Sequence, residues 1–193
     1  MFSLLCAVSI SFASAASTYT VKSGDSMWKI AVKYQVGVSE IISANPQIKN
    51  PNLIYPGDVL QIPAVDTSVR SYETEVIRLV NEIRVDNKLK PLTENWELSR
   101  IARYKAQDMH DNGYFDHNSP VYGSPFTMIK NFGLTYRAAA ENIAMGYRTP
   151  QTVVKGWMNS TTGHRENILN PSYTQIGVGY CADGNYCSQM FIG

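Results

Sequence analysis

The sequence predicts an α+β fold in two units, and three features carry that reading. Residues 18–63 run strand, helix, helix, strand in under fifty positions. Residues 71–169 carry apolar residues at helical spacing, and the chain then closes with alternating residues around a turn, as paired strands do. Between the two units lies a short linker, residues 64–70, where Pro63 closes one pattern before the next begins. Seven extended residues reach only about 25 Å, so the units are tethered close together.

Tyr19, Thr20 and Val21 alternate as the first strand. Ser23, Gly24 and Asp25 turn the chain and supply a helix cap before Met27, Ile30, Ala31 and Tyr34, which recur at helical spacing. Trp28 is read with that inward stripe, as a core filler. A second helical pattern over residues 38–44 stops at Asn45 and Pro46, since the residue before proline disfavours the helix. Tyr55, Pro56, Gly57 and Asp58 form a turn, and residues 59–63 are the closing strand.

In the larger unit, Val76, Leu79, Val80 and Ile83 make one helical stripe, and Leu98, Ile101, Ala102 and Met109 make another. Residues 126–132 form a short helix ended by Gly133. Thr149 caps a helix with Pro150 at its first position and Val153, Val154 and Trp157 on its apolar face. Residues 163–169 are a last short helix, stopped by Asn170 and Pro171. Ile176, Val178 and Tyr180 then alternate before a turn of Asp183, Gly184 and Asn185. A three-residue loop there sets Cys181 opposite Cys187, and we read the pair as a cross-strand disulfide. Two free thiols or a metal pair are the alternatives, although the spacing does not match a zinc knuckle.

Composition bounds the function. The 193 residues are 44% hydrophobic, enough for one sizeable core and a small second one. A net charge of +1 without a basic run excludes an electrostatic grip on nucleic acid. Residues 1–15 read as an export signal, with an apolar stretch too short to anchor in a bilayer followed by Ala13, Ser14 and Ala15. No Lys or Arg precedes that stretch, a departure from the usual signal, and Cys6 lies within it. Oligomeric state is not readable from the sequence.

The residues of the first unit resemble the LysM module. The matching segments are Tyr19-Thr20-Val21-Lys22-Ser23-Gly24-Asp25-Ser26-Met27-Trp28-Lys29-Ile30-Ala31, then Ala44-Asn45-Pro46, then Ile54-Tyr55-Pro56-Gly57. The resemblance implies a carbohydrate-binding domain for N-acetylglucosamine polymers, peptidoglycan or chitin, held in a shallow groove between two loops. Carried onto this chain, those loops are Gly24, Asp25, Ser26 and Met27, and Leu53, Ile54, Tyr55, Pro56 and Gly57. Leu53 and Ile54 in a loop are also hard to explain without a ligand or a neighbour.

Residues 71–193 resemble the CAP superfamily, the SCP-like or PR-1-like proteins. The motifs are Tyr114-Phe115-Asp116-His117, Ala140-Glu141-Asn142-Ile143 and Gly163-His164-Arg165-Glu166-Asn167-Ile168-Leu169, with Gly156-Trp157-Met158-Asn159-Ser160 between the last two. The resemblance implies an α-β-α sandwich around an antiparallel sheet, with a cleft carrying two histidines and two glutamates. His117, Glu141 and His164 match three of those four, and Ser160 stands where the remaining glutamate falls. Two imidazoles make a candidate Zn²⁺ site, with Glu141 orienting a histidine or polarising a bound water. Asp116, Arg165 and Glu166 are read as pointing elsewhere.

Two functions are consistent with this. The preferred one is a secreted protein of the cell wall or spore envelope, whose LysM module tethers a CAP cleft that binds a metal or small ligand without turnover. The alternative is a metal-assisted hydrolase of wall peptide or glycan bonds, with Glu141 as the candidate catalytic residue.

Overall fold

The computed structural model describes residues 17–193. The export signal read over residues 1–15, and Cys6 with it, lie outside the described residues.

The small unit is built from β1 (Ser17–Thr20), α1 (Met27–Tyr34), α2 (Val38–Ala44) and β2 (Val59–Ile62). The two strands pair antiparallel, Thr20 opposite Val59. Ser26 caps α1, its hydroxyl accepting from Lys29 N. Met27, Ile30, Ala31, Ile41, Leu60 and Ile62 close the small core. Asn45 locks the unit: its amide donates to Ile41 O and Gln61 O, both at 2.7 Å, and its Oδ1 accepts from Gln61 N at 2.8 Å.

Trp28 corrects the sequence reading, because it is exposed rather than core. With 100° per residue, the stripe of positions 27, 30, 31 and 34 centres near Met27, and Trp28 lies a quarter-turn away beside exposed Val32.

The larger unit starts with α3 (Thr67–Asp86), so the last four positions of the linker read over 64–70 are helical. The cause is Asp66, whose carboxylate accepts from Ser68 N at 2.7 Å and caps the first turn. β3 (Thr93–Glu94), α4 (Trp96–Asp111), α5 (Pro125–Asn131), β4 (Ala139–Met145), α6 (Pro150–Met158), α7 (His164–Ile168), β5 (Gln175–Cys181) and β6 (Tyr186–Ile192) follow.

The sheet runs β3-β5-β6-β4, antiparallel except for the short parallel pairing of β3 with β5. Alternate β6 residues face opposite layers. Cys187 and Phe191 join the core with α3, α6 and α7, while Met190 and Ile192 join the one with α4 and α5. The result is an α-β-α sandwich with β4 on its edge.

The same alternation removes the disulfide. Cys181 pairs with Tyr186 and Tyr180 with Cys187, because four residues, not three, make the turn. Cys187 shares the α3 face with Val178, whereas Cys181, three positions beyond Val178, points to the α4 face. Both are free buried thiols. Burial pushes Cys181 up to about 11 and Cys187 higher still, so neither is a ready thiolate.

Candidate functional site

The larger site sits on edge strand β4, where the two helical layers meet. Phe115, Asp116 and His117 enter from the loop after α4, Ile143, Ala144 and Met145 from β4, Trp157 and Ser160 from the end of α6, and His164 from the start of α7. Together with Tyr147 they line an open cleft of about 670 Å³.

Consecutive residues of a strand point to opposite faces, and β4 uses this to hold both histidine segments. Glu141 faces the α4 side, where its Oε2 accepts from His117 Nδ1 at 2.7 Å and its Oε1 from Ser188 Oγ at 3.1 Å. Asn142 faces the other side, where its amide donates to His164 O at 3.1 Å and to Gln189 Oε1 at 2.9 Å, while Asn167 donates to its Oδ1 at 2.9 Å. Gly163, at φ +94, makes the left-handed turn into α7 that places His164.

The Glu141 side chain is 1% exposed and the His117 side chain 49%. A carboxylate only accepts, so Nδ1 of His117 carries the proton and Nε2 is left to the cleft. The bond from Glu141, against the opposing effect of burial and with the help of its charge, raises the His117 pKa above its ordinary value. His164 goes the other way. Burial, and then the charge on nearby His117, lower it, and its Nδ1 meets only the Ser160 hydroxyl at 3.0 Å. Serine at that position therefore orients the ring without supplying the charge that a glutamate would.

Two cations absent from the sequence reading fix this frame from below. Lys105 is buried and donates to Asp116 O at 2.7 Å, His117 O at 2.9 Å and Tyr114 Oη at 2.9 Å. Arg84, equally buried, donates to Ile168 O at 2.7 Å, Asn170 O at 3.0 Å, Lys90 O at 3.0 Å and Tyr173 O at 3.4 Å. One holds the His117 loop, the other the end of α7. Their sequence signal was a cation on an apolar stripe: Lys105 follows Leu98, Ile101 and Ala102, and Arg84 follows Val76 and Val80.

His117 is thus bonded to Glu141 and shares the cleft lining with His164. Asp116 differs from its sequence reading, since it lines the cleft, with Oδ1 accepting from Asn118 N at 2.7 Å. Arg165 and Glu166 are exposed and outside the lining. Among the described residues no three His, Cys, Asp or Glu side chains converge to hold a metal, so a metal here would find two imidazole donors.

In the small unit, Gly57 N donates to Val21 O at 2.9 Å and Val21 N to Asp58 O at 2.8 Å, so both loops leave the same end of the two-stranded sheet. Trp28 at 65%, Tyr55 at 57% and Leu53 at 53% are exposed beside them, as is Val59 at the start of β2. Met27 is buried in the core. Asp25 is occupied by Tyr19 Oη and Lys22 N, both at 2.8 Å, Ser26 by its cap, and Ile54 packs on the core. Gly24, Pro56 and Gly57 are exposed.

The two units have counterparts among known families. The model of the cysteine-rich secretory protein family, CAP, matches residues 77–192, and that of the LysM domain matches residues 19–63. The chain belongs to the CAP family. It is 56% identical over 127 residues to the uncharacterized protein YkwD of Bacillus subtilis (strain 168), covering 66% of this chain and 49% of YkwD. An extracellular protein containing an SCP domain from Bacillus anthracis superposes with a TM-score of 0.62 at 29% identity, over 71% of this chain and 47% of that one. A LysM-side relative is the N-acetylmuramoyl-L-alanine amidase sle1 of Staphylococcus saprophyticus, 42% identical over 66 residues, 34% of this chain and 20% of the amidase. The CAP chain spans about half the length of YkwD, the first of these relatives. No helix among its described residues is long and apolar enough to cross a membrane.

Proposed function

We propose that this CAP protein is secreted and held at the cell wall or spore envelope. Its LysM module grips N-acetylglucosamine polymers, peptidoglycan or chitin, and its CAP cleft binds a metal or small ligand without turnover. The observation that carries this reading is the exposure of Trp28, Leu53 and Tyr55 beside two loops at one end of the small unit. A domain this small hides its apolar residues where it can, so three left in water fit the faces of sugar rings. The N–H of Gly24 and the carbonyls of Pro56 and Gly57 are the backbone groups left there for acetamido groups, since Gly24 O and Gly57 N already bond Lys29 Nζ and Val21 O. The amidase relative, a protein named for action on a wall polymer, supports a wall partner.

In the cleft, Nδ1 of both imidazoles is committed to Glu141 and Ser160, which leaves Nε2 of His117 and His164 as donors for Zn²⁺. A bound ion would supply a Lewis-acidic centre. Glu141 has both oxygens engaged by His117 and Ser188, which favours an orienting role over activation of water.

Sedimentation with purified peptidoglycan and with chitin tests the anchor. The wild type should pellet with at least one polymer, and its remaining in the supernatant with both removes the anchoring reading. Metal analysis tests the cleft: zinc content should fall in His117→Ala and in His164→Ala, and Ser160→Glu should bind zinc about tenfold more tightly by restoring a carboxylate. Equal zinc in all of these proteins removes the metal. Clearing of peptidoglycan that Glu141→Gln abolishes would replace binding with hydrolysis.

A further inference from the structure

The two units are joined by less chain than their sequences suggest, and they touch. With α3 starting at Thr67 and Pro63 closing the small unit, only residues 64–66 connect them, a reach of about 11 Å. Across this connector α2 meets α4. Glu40 of α2 accepts from Arg100 Nε at 2.5 Å and Nη2 at 2.8 Å, a two-point fork, and from Tyr104 Oη at 2.9 Å. Ser39 Oγ donates to Glu40 Oε2 at 2.9 Å and accepts from Arg100 Nη2 at 3.0 Å. The guanidinium also lies over the rings of Tyr104 and Phe132, 5.2 Å from each centroid.

The pair is well shielded, with the Glu40 side chain 8% exposed and Arg100 19%. A carboxylate taken this far out of water is costly unless paired, and its charged partner comes from the other unit. Gly37, which precedes α2, leaves space for the fork. A Cβ there would sit 1.8 Å from Glu40 Oε2 and 2.3 Å from Arg100 Nη2, while its φ of −76 suits any residue. Beside the fork both units line a cavity of about 350 Å³, with Val36 from one side and Val69 and Tyr180 from the other.

We propose that the LysM module is docked on α4 of the CAP domain through Glu40, so that the two units tumble as one body rather than as beads on a tether. The Arg100–Tyr104 face of α4 is the docking surface, and an acidic side chain behind a glycine is what fits it. Wall contact through the module then fixes the direction in which the cleft faces. The docking stands whether or not the module binds glycan.

Backbone ¹⁵N relaxation of the protein tests it. Amides of both units should share one rotational correlation time. Glu40→Arg or Arg100→Glu should split it into two shorter values, and the double reversal should restore one. Gly37→Ala, which changes no charge, should loosen the docking by crowding the fork, and it serves if a charge reversal fails to fold. Two correlation times in the wild type, or a single unchanged one in every folded single variant, would overturn the proposal.

Discussion

The exposed side chains of the small unit's groove and of the large unit's cleft rest on supports of different kinds. Around the groove, apolar side chains are left in water on a loop and on the first turn of α1, while Asn45 and the cap of α1 hold the scaffold beneath. Around the cleft, two imidazoles share the lining with exposed Phe115, Met145 and Tyr147, and what aims the imidazole segments is buried and polar: Glu141, Asn142, Lys105 and Arg84. An exposed aromatic can be removed at little cost to folding. A buried ion with three or four acceptors cannot, because each acceptor left behind has lost its water as well.

The largest expected effect is therefore on the cleft frame. Lys105→Met strands Tyr114 Oη, Asp116 O and His117 O, and should destabilise the protein by about 3 kcal/mol in urea titration. The imidazole signals of His117 in a ¹H–¹⁵N spectrum should move with it, whereas those of His110, which bonds Asp111 and Asp183 instead, should not. A variant as stable as the wild type would break the contrast between the two regions.

A smaller stability effect but a larger binding effect is expected at the groove. Trp28→Ala should stay within about 0.5 kcal/mol of the wild type, as surface changes do, while wall binding falls about tenfold. Ile30→Ala, two positions along the same helix but in the core, should cost about 3 kcal/mol. Equal stability losses at the two positions would mean that Trp28 packs after all.

The smallest effect is on the seam between the regions, and it depends on pH. Burial alone would raise the Glu40 pKa, but the bond and charge of Arg100, with a bond from Tyr104, hold it below the usual carboxylate value. A depressed carboxylate contributes above its unfolded pKa, about 4.3, and the contribution disappears as pH falls through the folded value. The groups facing Glu40 are Arg100 and Tyr104 from α4 and Ser39 from its own helix, and only Glu40 among them titrates in that range. The shared correlation time expected at pH 7 should separate once pH falls below that folded value, while Glu40→Gln should show the weaker docking throughout.

Much of this was legible in the sequence. The helices announced themselves through apolar stripes and through the cap Thr149, whereas the cap of α1 is Ser26 and not the Ser23–Asp25 turn before it; of the motif residues, His117 and Glu141 bond each other and His164 lines the same cleft as His117. What escaped has a physical pattern. Trp28 lies a quarter-turn from its stripe, a difference that a window of eight residues barely resolves. One more residue in the β5–β6 turn sent the two cysteines to opposite faces. Asp66 turned the end of a linker into a helix through a single cap. Ser160 stood out as a missing glutamate, but its bond to His164 needed coordinates. Lys105 and Arg84 were visible as charges out of place on inward stripes, and only their carbonyl partners explain them.

The back-to-back placement of Glu141 and Asn142 on β4 has a consequence for how this site can vary. Slipping the strand by one residue exchanges its two sides, so a single insertion or deletion there would hand the carboxylate to α7 and the amide to the His117 loop. Loops on either side can lengthen freely, but the strand itself tolerates change only in steps that preserve its parity. A shift of register therefore moves the acid and the amide together.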